Sequence, residues 1–159
     1  MQTIRSITAD DKQALERFHA RLSPDSIYRR YHGVRGDLSA AELQYLTEVD
    51  GVRHLACVAV DEAGEIDAVA RIAADASGGP PDLAVVVADD RQRLGLGSRV
   101  TRAVIDAFYS QGHAGPVTAL VQSDNRRALR LFAGLGGRRE NRPSGGTVAV
   151  RLWSLADAA

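Results

Sequence analysis

Residues 82–98 read Asp82-Leu83-Ala84-Val85-Val86-Val87-Ala88-Asp89-Asp90-Arg91-Gln92-Arg93-Leu94-Gly95-Leu96-Gly97-Ser98. The dense run of valines predicts a strand buried on both faces. A glycine-containing loop follows. From Gly97 to Tyr109, Val100, Val104, Ile105 and Phe108 recur at the spacing of a helix with one apolar stripe. Glycines let backbone N–H groups converge and a ligand approach closely, and a helix N-terminus adds partial positive charge. Strand, loop and helix together therefore predict a phosphate cradle. Arg91, Arg93 and Arg99 flank it as bidentate partners for phosphate oxygens, and Ser98 adds a hydroxyl. Two common phosphate ligands fail on spacing. The third glycine of G-x-G-x-x-G is replaced by Val100, and a G-x-x-x-x-G-K-[ST] loop is excluded because the sole lysine is Lys12.

Working outward, Thr3–Ile7 predicts an opening strand, and the acidic pair Asp10-Asp11 starts a helix over about 10–21 carrying Leu15, Phe18 and Leu22. Ser23-Pro24 caps a second helix, and Ser39 with Glu42 has the spacing of a capping box for a third. His54–Val60 and Ile66–Ala74 form a hairpin across a turn-rich break. Val117–Val121 is a buried strand, Asn125–Phe132 an amphipathic helix, and Thr147–Leu155 a closing strand entered through the turn at 142–146. Strand, helix and strand after residue 82 imply a parallel crossover, whereas the hairpins at 54–74 and near 140–155 imply antiparallel neighbours. The expectation is an α/β (α+β) domain over 1–159, with a mixed, mostly antiparallel sheet and helices on both faces.

Gln92-Arg93-Leu94-Gly95-Leu96-Gly97 resembles the Q/R-x-x-G-x-G/A signature of the GNAT superfamily of N-acetyltransferases. About thirty residues on, Asn125-Arg126-Arg127-Ala128-Leu129-Arg130-Leu131-Phe132 with Leu135-Gly136 resembles that family's N-x-x-A-x-x-L-[YF]-x-x-L-G segment. The order of elements matches the family's fold, a sheet of about six to seven strands with a splayed parallel pair. Residues 22–31 and 46–50 resemble bacterial domains that acetylate protein lysines.

The resemblance implies acetyl-CoA, or another acyl-CoA, as co-substrate. Its pyrophosphate would rest on Gln92, Arg93, Leu94, Gly95, Gly97 and Ser98. Its pantetheine arm would pair with Val85 and Val87, and Asn125 and Phe132 would line the other side. An alkylammonium cannot attack a thioester until it loses a proton. The family's strand-start glutamate is here Asp82, which becomes the base, relayed by water, unless it merely ends the strand as a solvated residue. The strand N–H of Val86 or Val87 would hold the oxyanion. Phe132 stands where many relatives carry a proton-donating tyrosine, so Ser123, solvent or no acid at all would serve the departing thiolate. The acceptor would be a primary amine, on a small molecule or a protein lysine. The competing reading is a GNAT-fold module that binds acyl-CoA without turnover.

Forty-five percent hydrophobic and 25% charged residues describe a globular chain. Twenty basic residues balance 20 acidic ones, so no positive field exists to hold nucleic acid. No apolar run approaches a membrane span, and a cytoplasmic protein, monomer or homodimer, is expected. Lone Cys57 reads as a buried small hydrophobe, and without a Cys/His cluster no metal is expected. His19 and His113 read as helix-surface and turn residues, and His32 and His54 as surface or hydrogen-bonded groups in regions able to border an acceptor site.

Overall fold

A computed structural model describes residues 1–140 and 145–158. The chain runs β1 (Thr3–Ser6), a 3-10 turn (Ala9–Asp11), α1 (Lys12–Ala20), α2 (Pro24–Tyr31), α3 (Ala40–Thr47), β2 (His54–Val60), β3 (Ile66–Ala73) and β4 (Asp82–Val87). It continues with α4 (Leu96–Tyr109), β5 (Val117–Gln122), α5 (Arg126–Gly134), β6 (Arg138–Arg139) and β7 (Thr147–Leu152). The seven strands make one sheet in the order β1-β2-β3-β4-β5-β7-β6, and only β4 and β5 are parallel. The expected mixed sheet is thus present.

Alternation along β2 sorts the core into two halves. Leu55, Cys57 and Ala59 join α4 and α5 through Val100, Val104, Ile105, Leu129 and Phe132. Ala56, Val58 and Val60 join Leu15 and Phe18 of α1 and Leu43 of α3 on the opposite face. The capping signals act as read. Ser23 Oγ accepts from the Ser26 N–H at 3.1 Å, while Ser39 Oγ and Glu42 Oε1 bond each other's backbone N–H at 3.1 and 3.0 Å.

Several boundaries differ from expectation. The first helix opens as a 3-10 turn because Asp11 is spent on the Thr8 N–H (2.8 Å) and on Arg5 (2.8 Å). Asn125 caps α5 from outside, accepting from the Ala128 N–H at 3.3 Å, and the helix runs on to Gly134. The closing strand stops at Leu152, before a 3-10 turn at Leu155–Ala158. Its hairpin partner begins earlier than read, at Arg138–Arg139, and residues 142–144 of the expected turn lie outside the described residues. His19 is not on the surface: it is 4% exposed, bonded to Gly36 O at 3.0 Å and edge-on to Tyr31. His113 stacks on Phe108 and bonds Val52 O at 2.7 Å.

Two features position the site. Strands β4 and β5 pair at a single rung, Asp82 opposite Thr118, and then part. At the same time β3 carries an extra residue, because Ala59 faces Ala68 whereas Val60 faces Ile66. This bulge at Asp67 re-aims a carboxylate that is 1% exposed. It accepts from Arg21 Nη2 at 2.9 Å and Gln2 Nε2 at 3.0 Å, with Arg91 Nε at 3.7 Å. Asp67→Ala leaves these donors without their anion and is expected to cost about 2 kcal/mol. The check is the urea midpoint at unchanged m-value; an unmoved midpoint would show that the cluster holds nothing together.

Candidate active site

The orientation of the strand backbones follows from three hydrogen bonds. Ala88 N–H donates to Asp67 O at 2.8 Å, Thr118 N–H to Pro81 O at 2.8 Å, and Ser123 N–H to Gly146 O at 2.8 Å. Successive residues of an antiparallel ladder turn their N–H and C=O to opposite sides. Ala84, Val86 and Ala88 therefore address β3, and Val85 and Val87 address β5. On the facing strand Val121 and Ser123 address β7, so Leu120 and Gln122 face β4. Beyond the one shared rung, the backbone groups of Val85, Val87 and Leu120 have no ladder partner. They flank a cleft of about 870 Å³ that carries the splay to the start of α4.

At one end lies the glycine loop. Gly95 (φ 79°) takes the left-handed conformation at the N-cap of α4, and Arg93 (φ 69°) takes it without the freedom of a glycine. Gly97 serves a close approach as well: a Cβ there would stand 2.7 Å from Leu131 Cδ1 and 3.4 Å from Val87 Cγ2. Gln92 ties the two walls together, since its Nε2 donates to Val87 O at 3.2 Å and its Oε1 accepts from Arg127 Nη1. Arg29, Arg30, Arg91, Arg93, Arg126, Arg127 and Arg130 line the cleft against Asp25, Asp82, Asp89 and Asp124. The chain is neutral as a whole, yet this surface is cationic and suited to phosphate.

At the other end stands Asp82, on the last rung, with a carboxylate that no described residue bonds. Partial burial and the like charge of Asp75 push its pKa above the usual aspartate value, against the pull of Arg30.

The structure brings together Asp82, Val85, Val86, Val87, Gln92, Arg93, Gly95, Gly97, Ser98, Asn125 and Phe132 as cleft-lining residues. Four expectations change. Val86 lines the cleft with its side chain, but ladder parity commits its N–H to Val69 of β3, so it offers no oxyanion donor. Ser123 is exposed, its N–H serves Gly146, and it does not line the cleft. Leu94 is 60% exposed and likewise outside the lining, as is Arg99. Phe132, 2% exposed, is a core wall without a proton to give.

Sequence reading missed Arg29 and Arg30 of α2 as lining residues of the site. The N-terminus of α2 is tied to Asp89, which accepts from Ser23 N–H (3.0 Å), Ser23 Oγ (2.7 Å) and Ser26 Oγ (3.0 Å). Near its C-terminus Arg29 bonds Gln122 Oε1 at 3.0 Å and Asp124, and Gln122 Nε2 donates to Tyr28 O at 3.2 Å. The adjacent Arg29-Arg30 pair was the available signal, but Asp89, Gln122 and Asp124 lie 59 to 95 residues away. Among the described residues no group of three or more His, Cys, Asp or Glu could hold a metal ion, and no helix is long and apolar enough to cross a membrane.

Comparison with known proteins places this geometry. The family described as FR47-like protein matches residues 66–143. The chain is 33% identical over 156 residues to acetyltransferase PA5475 of Pseudomonas aeruginosa, covering 96% of this chain and 83% of that protein. The GNAT domain of the Streptomyces lividans protein PAT superposes with a TM-score of 0.87 at 24% identity, covering 95% and 89% of the two chains. The protein yncA of Salmonella typhimurium, solved with its cofactor acetyl-CoA, superposes at 0.74 with 20% identity, covering 97% and 94%.

Behind the cleft, burial holds the His54 imidazole well below its ordinary pKa of 6.5, to about 4, and Arg71 adds to the effect while Asp50 opposes it. Arginine only donates, so neutral His54 Nε2 accepts from Arg71 Nη1 at 2.8 Å. The unfolded chain binds this proton more readily than the folded one. Stability is therefore full above about pH 6.5 and falls as pH drops toward 4. The expected loss is roughly 2–3 kcal/mol in urea unfolding across that window. In His54→Gln the slope should flatten, and an unchanged slope would exclude His54 as its origin.

Proposed function

Because the chain belongs to the GNAT superfamily of N-acetyltransferases, we propose that it moves an acetyl group from acetyl-CoA to a primary amine by direct attack. The observation that carries this reading is a parallel strand pair unzipped after one rung, with a cationic glycine loop at its open end and an unbonded carboxylate at its joined end. Both ends line one cleft. From Asp82 to Val87 the strand rises roughly 17 Å, comparable to an extended pantetheine arm.

The residues present fit such a co-substrate. Backbone N–H groups around Gly95 to Ser98, with Arg91, Arg93 and Arg127, face its phosphates, and the unpartnered edge of Val85 and Val87 accepts the arm as an added strand. Gln92 already occupies the Val87 carbonyl, which leaves the Val87 N–H for the ligand side. Acetyl-CoA supplies the acyl group as a thioester, whose C–S bond breaks as the C–N bond forms.

Asp82 takes the ammonium proton, directly or through one water, and delivers a neutral amine. Its raised pKa makes it a better base than an ordinary aspartate. The N–H groups of Val85 and Val87, turned into the cleft and held by the sheet, are the donors available to a developing oxyanion. The hydroxyl-bearing side chains lining the cleft are those of Ser26, which donates to Asp89, and Ser98 at the phosphate end. No acid is assigned to the thiolate: a thiol of pKa about 8.5 makes a competent leaving group without one. Either a small amine or a protein lysine satisfies this chemistry.

Two measurements test the proposal. Ser98 lies in the first turn of α4, where an acidic side chain suits the helix but repels phosphate. Ser98→Glu should keep its melting temperature and weaken acetyl-CoA binding in calorimetry by about tenfold or more; equal affinity would move the phosphates elsewhere. Asp82→Asn should lower kcat for thiol release in the presence of amines by about 100-fold or more and abolish the acid limb of the pH profile. In the wild type that limb, where rate falls with protonation of the base, should lie above the usual aspartate range. A full rate at every pH removes Asp82 from the mechanism. Binding of acetyl-CoA with no thiol release from any amine would favour a non-catalytic binding module.

A further inference from the structure

On the α1–α3 face of the sheet, cross-strand pairing sets Asp82 beside Ala73, Ala84 beside Arg71 and Val86 beside Val69. Over this floor lies Arg30 of α2, half-buried and lining both the cleft and a small void shared with Arg71. Its surroundings are unusual for an arginine drawn this far from water. Its guanidinium lies over the Tyr31 ring at 4.7 Å, and that of Arg35 lies at 4.7 Å from the same ring. Arg71 beneath is 6% exposed and bonds only uncharged groups, Leu46 O at 2.9 Å and His54 Nε2. Arg35 is paired with Glu42. Arg30 has no hydrogen bond or ion pair with any described residue, and burial lowers its pKa even though Asp82 pulls the other way.

Other arginines of this fold show what structural use looks like. Arg5, Arg21 and Arg29 each hold a carboxylate at 2.5–2.9 Å. Arg30 instead leaves its donors facing the cleft, beside a second desolvated cation. An unpaired guanidinium in such surroundings is costly, and an arriving anion removes that cost. Phosphate of the co-substrate is assigned elsewhere, to the glycine loop beyond Val87, whereas Arg30 lies over the floor of Arg71 and Ala84. What Arg30 does share its floor with is Asp82, the proposed proton acceptor.

We propose that the acceptor carries a carboxylate next to its reactive amine, with Arg30 gripping the carboxylate while Asp82 receives the amine. This rests on the acyl-transfer reading above. The two cleft charges that do not bond each other are the complement of an amine and a carboxylate held a few ångströms apart on one molecule. That chemistry comes either from a free amino acid or from a lysine beside acidic residues in a protein segment. Arg71, behind Arg30, keeps the local potential positive and is a positioning residue.

The test uses the intact protein with acetyl-CoA and matched acceptors: amino acids against their carboxamides, and lysine peptides flanked by Asp or Glu against the same peptides with Asn or Gln. The wild type should favour the carboxylate member by roughly tenfold or more in kcat/KM, mostly through KM. The arm showing the larger ratio identifies the source. In Arg30→Gln the ratio should fall toward one, and Arg30→Lys, which keeps the charge but not the fork, should restore part of it. Melting temperatures confirm that both variants fold. Equal kcat/KM within wild-type pairs, or a ratio that survives Arg30→Gln, overturns the inference while leaving acyl transfer standing. Absence of thiol release with every amine overturns acyl transfer itself, and the acceptor assignment with it.

Discussion

A parallel strand pair that holds by one rung and then lets go is an expensive arrangement, because every backbone N–H and C=O beyond the rung gives up a ladder partner. In this protein the loss falls on Val85, Val87 and Leu120, in the middle of an otherwise continuous seven-stranded sheet. The surrounding structure is arranged to keep the gap open. Helix α4 packs one face of β2, β3 and β4, α1 and α3 pack the other, and α2 is bonded to the exits of both β4 and β5. The gap then becomes a binding edge whose hydrogen-bonding groups are pre-aimed, and a ligand chain laid there meets donors that need no reorganisation.

The charges follow from the same opening. A sheet that parts toward the N-terminus of a helix directs a column of amides and the helix dipole at one point, and arginines from α5 and the loop supply the full charges. At the joined end stands an aspartate rendered more basic by partial burial and a neighbouring carboxylate, with Arg30 nearby. A glycine loop suited to phosphate at one end of the strand and an unbonded carboxylate at the other let a neutral chain build a polarised cleft.

How much of this could be read from residues alone depends on how local the cause is. The limits of β4 were legible to the residue, because Pro81 precedes it and the valine run ends at a glycine loop. Caps at Ser23 and Ser39 were legible because each uses neighbours three residues away. Misreadings arise where partners are distant. The 3-10 start of the first helix reflects Asp11 being claimed by Arg5, and the burial of His19 reflects a carbonyl at Gly36 that no periodicity reveals. The assignment of Val86 as a donor failed on parity: a strand read in isolation does not say which of its N–H groups faces its neighbour. Ser123, named for its hydroxyl, is exposed and outside the cleft lining, which its position just after β5 did not reveal. The roles of Arg29 and Arg30 required knowing that α2 lies across strands more than 50 residues downstream.

Helix α2 sets the width of the site. One end is bonded to Asp89 at the exit of β4 and the other to Gln122 and Asp124 at the exit of β5. From Ser23 to Tyr28 the chain rises roughly 7.5 Å as a helix, well beyond one inter-strand spacing of about 4.8 Å. A rod of that length acts as a gauge block between the strand ends. Because it is tied to both strand exits, the slot cannot open or close without bending this helix or breaking those bonds.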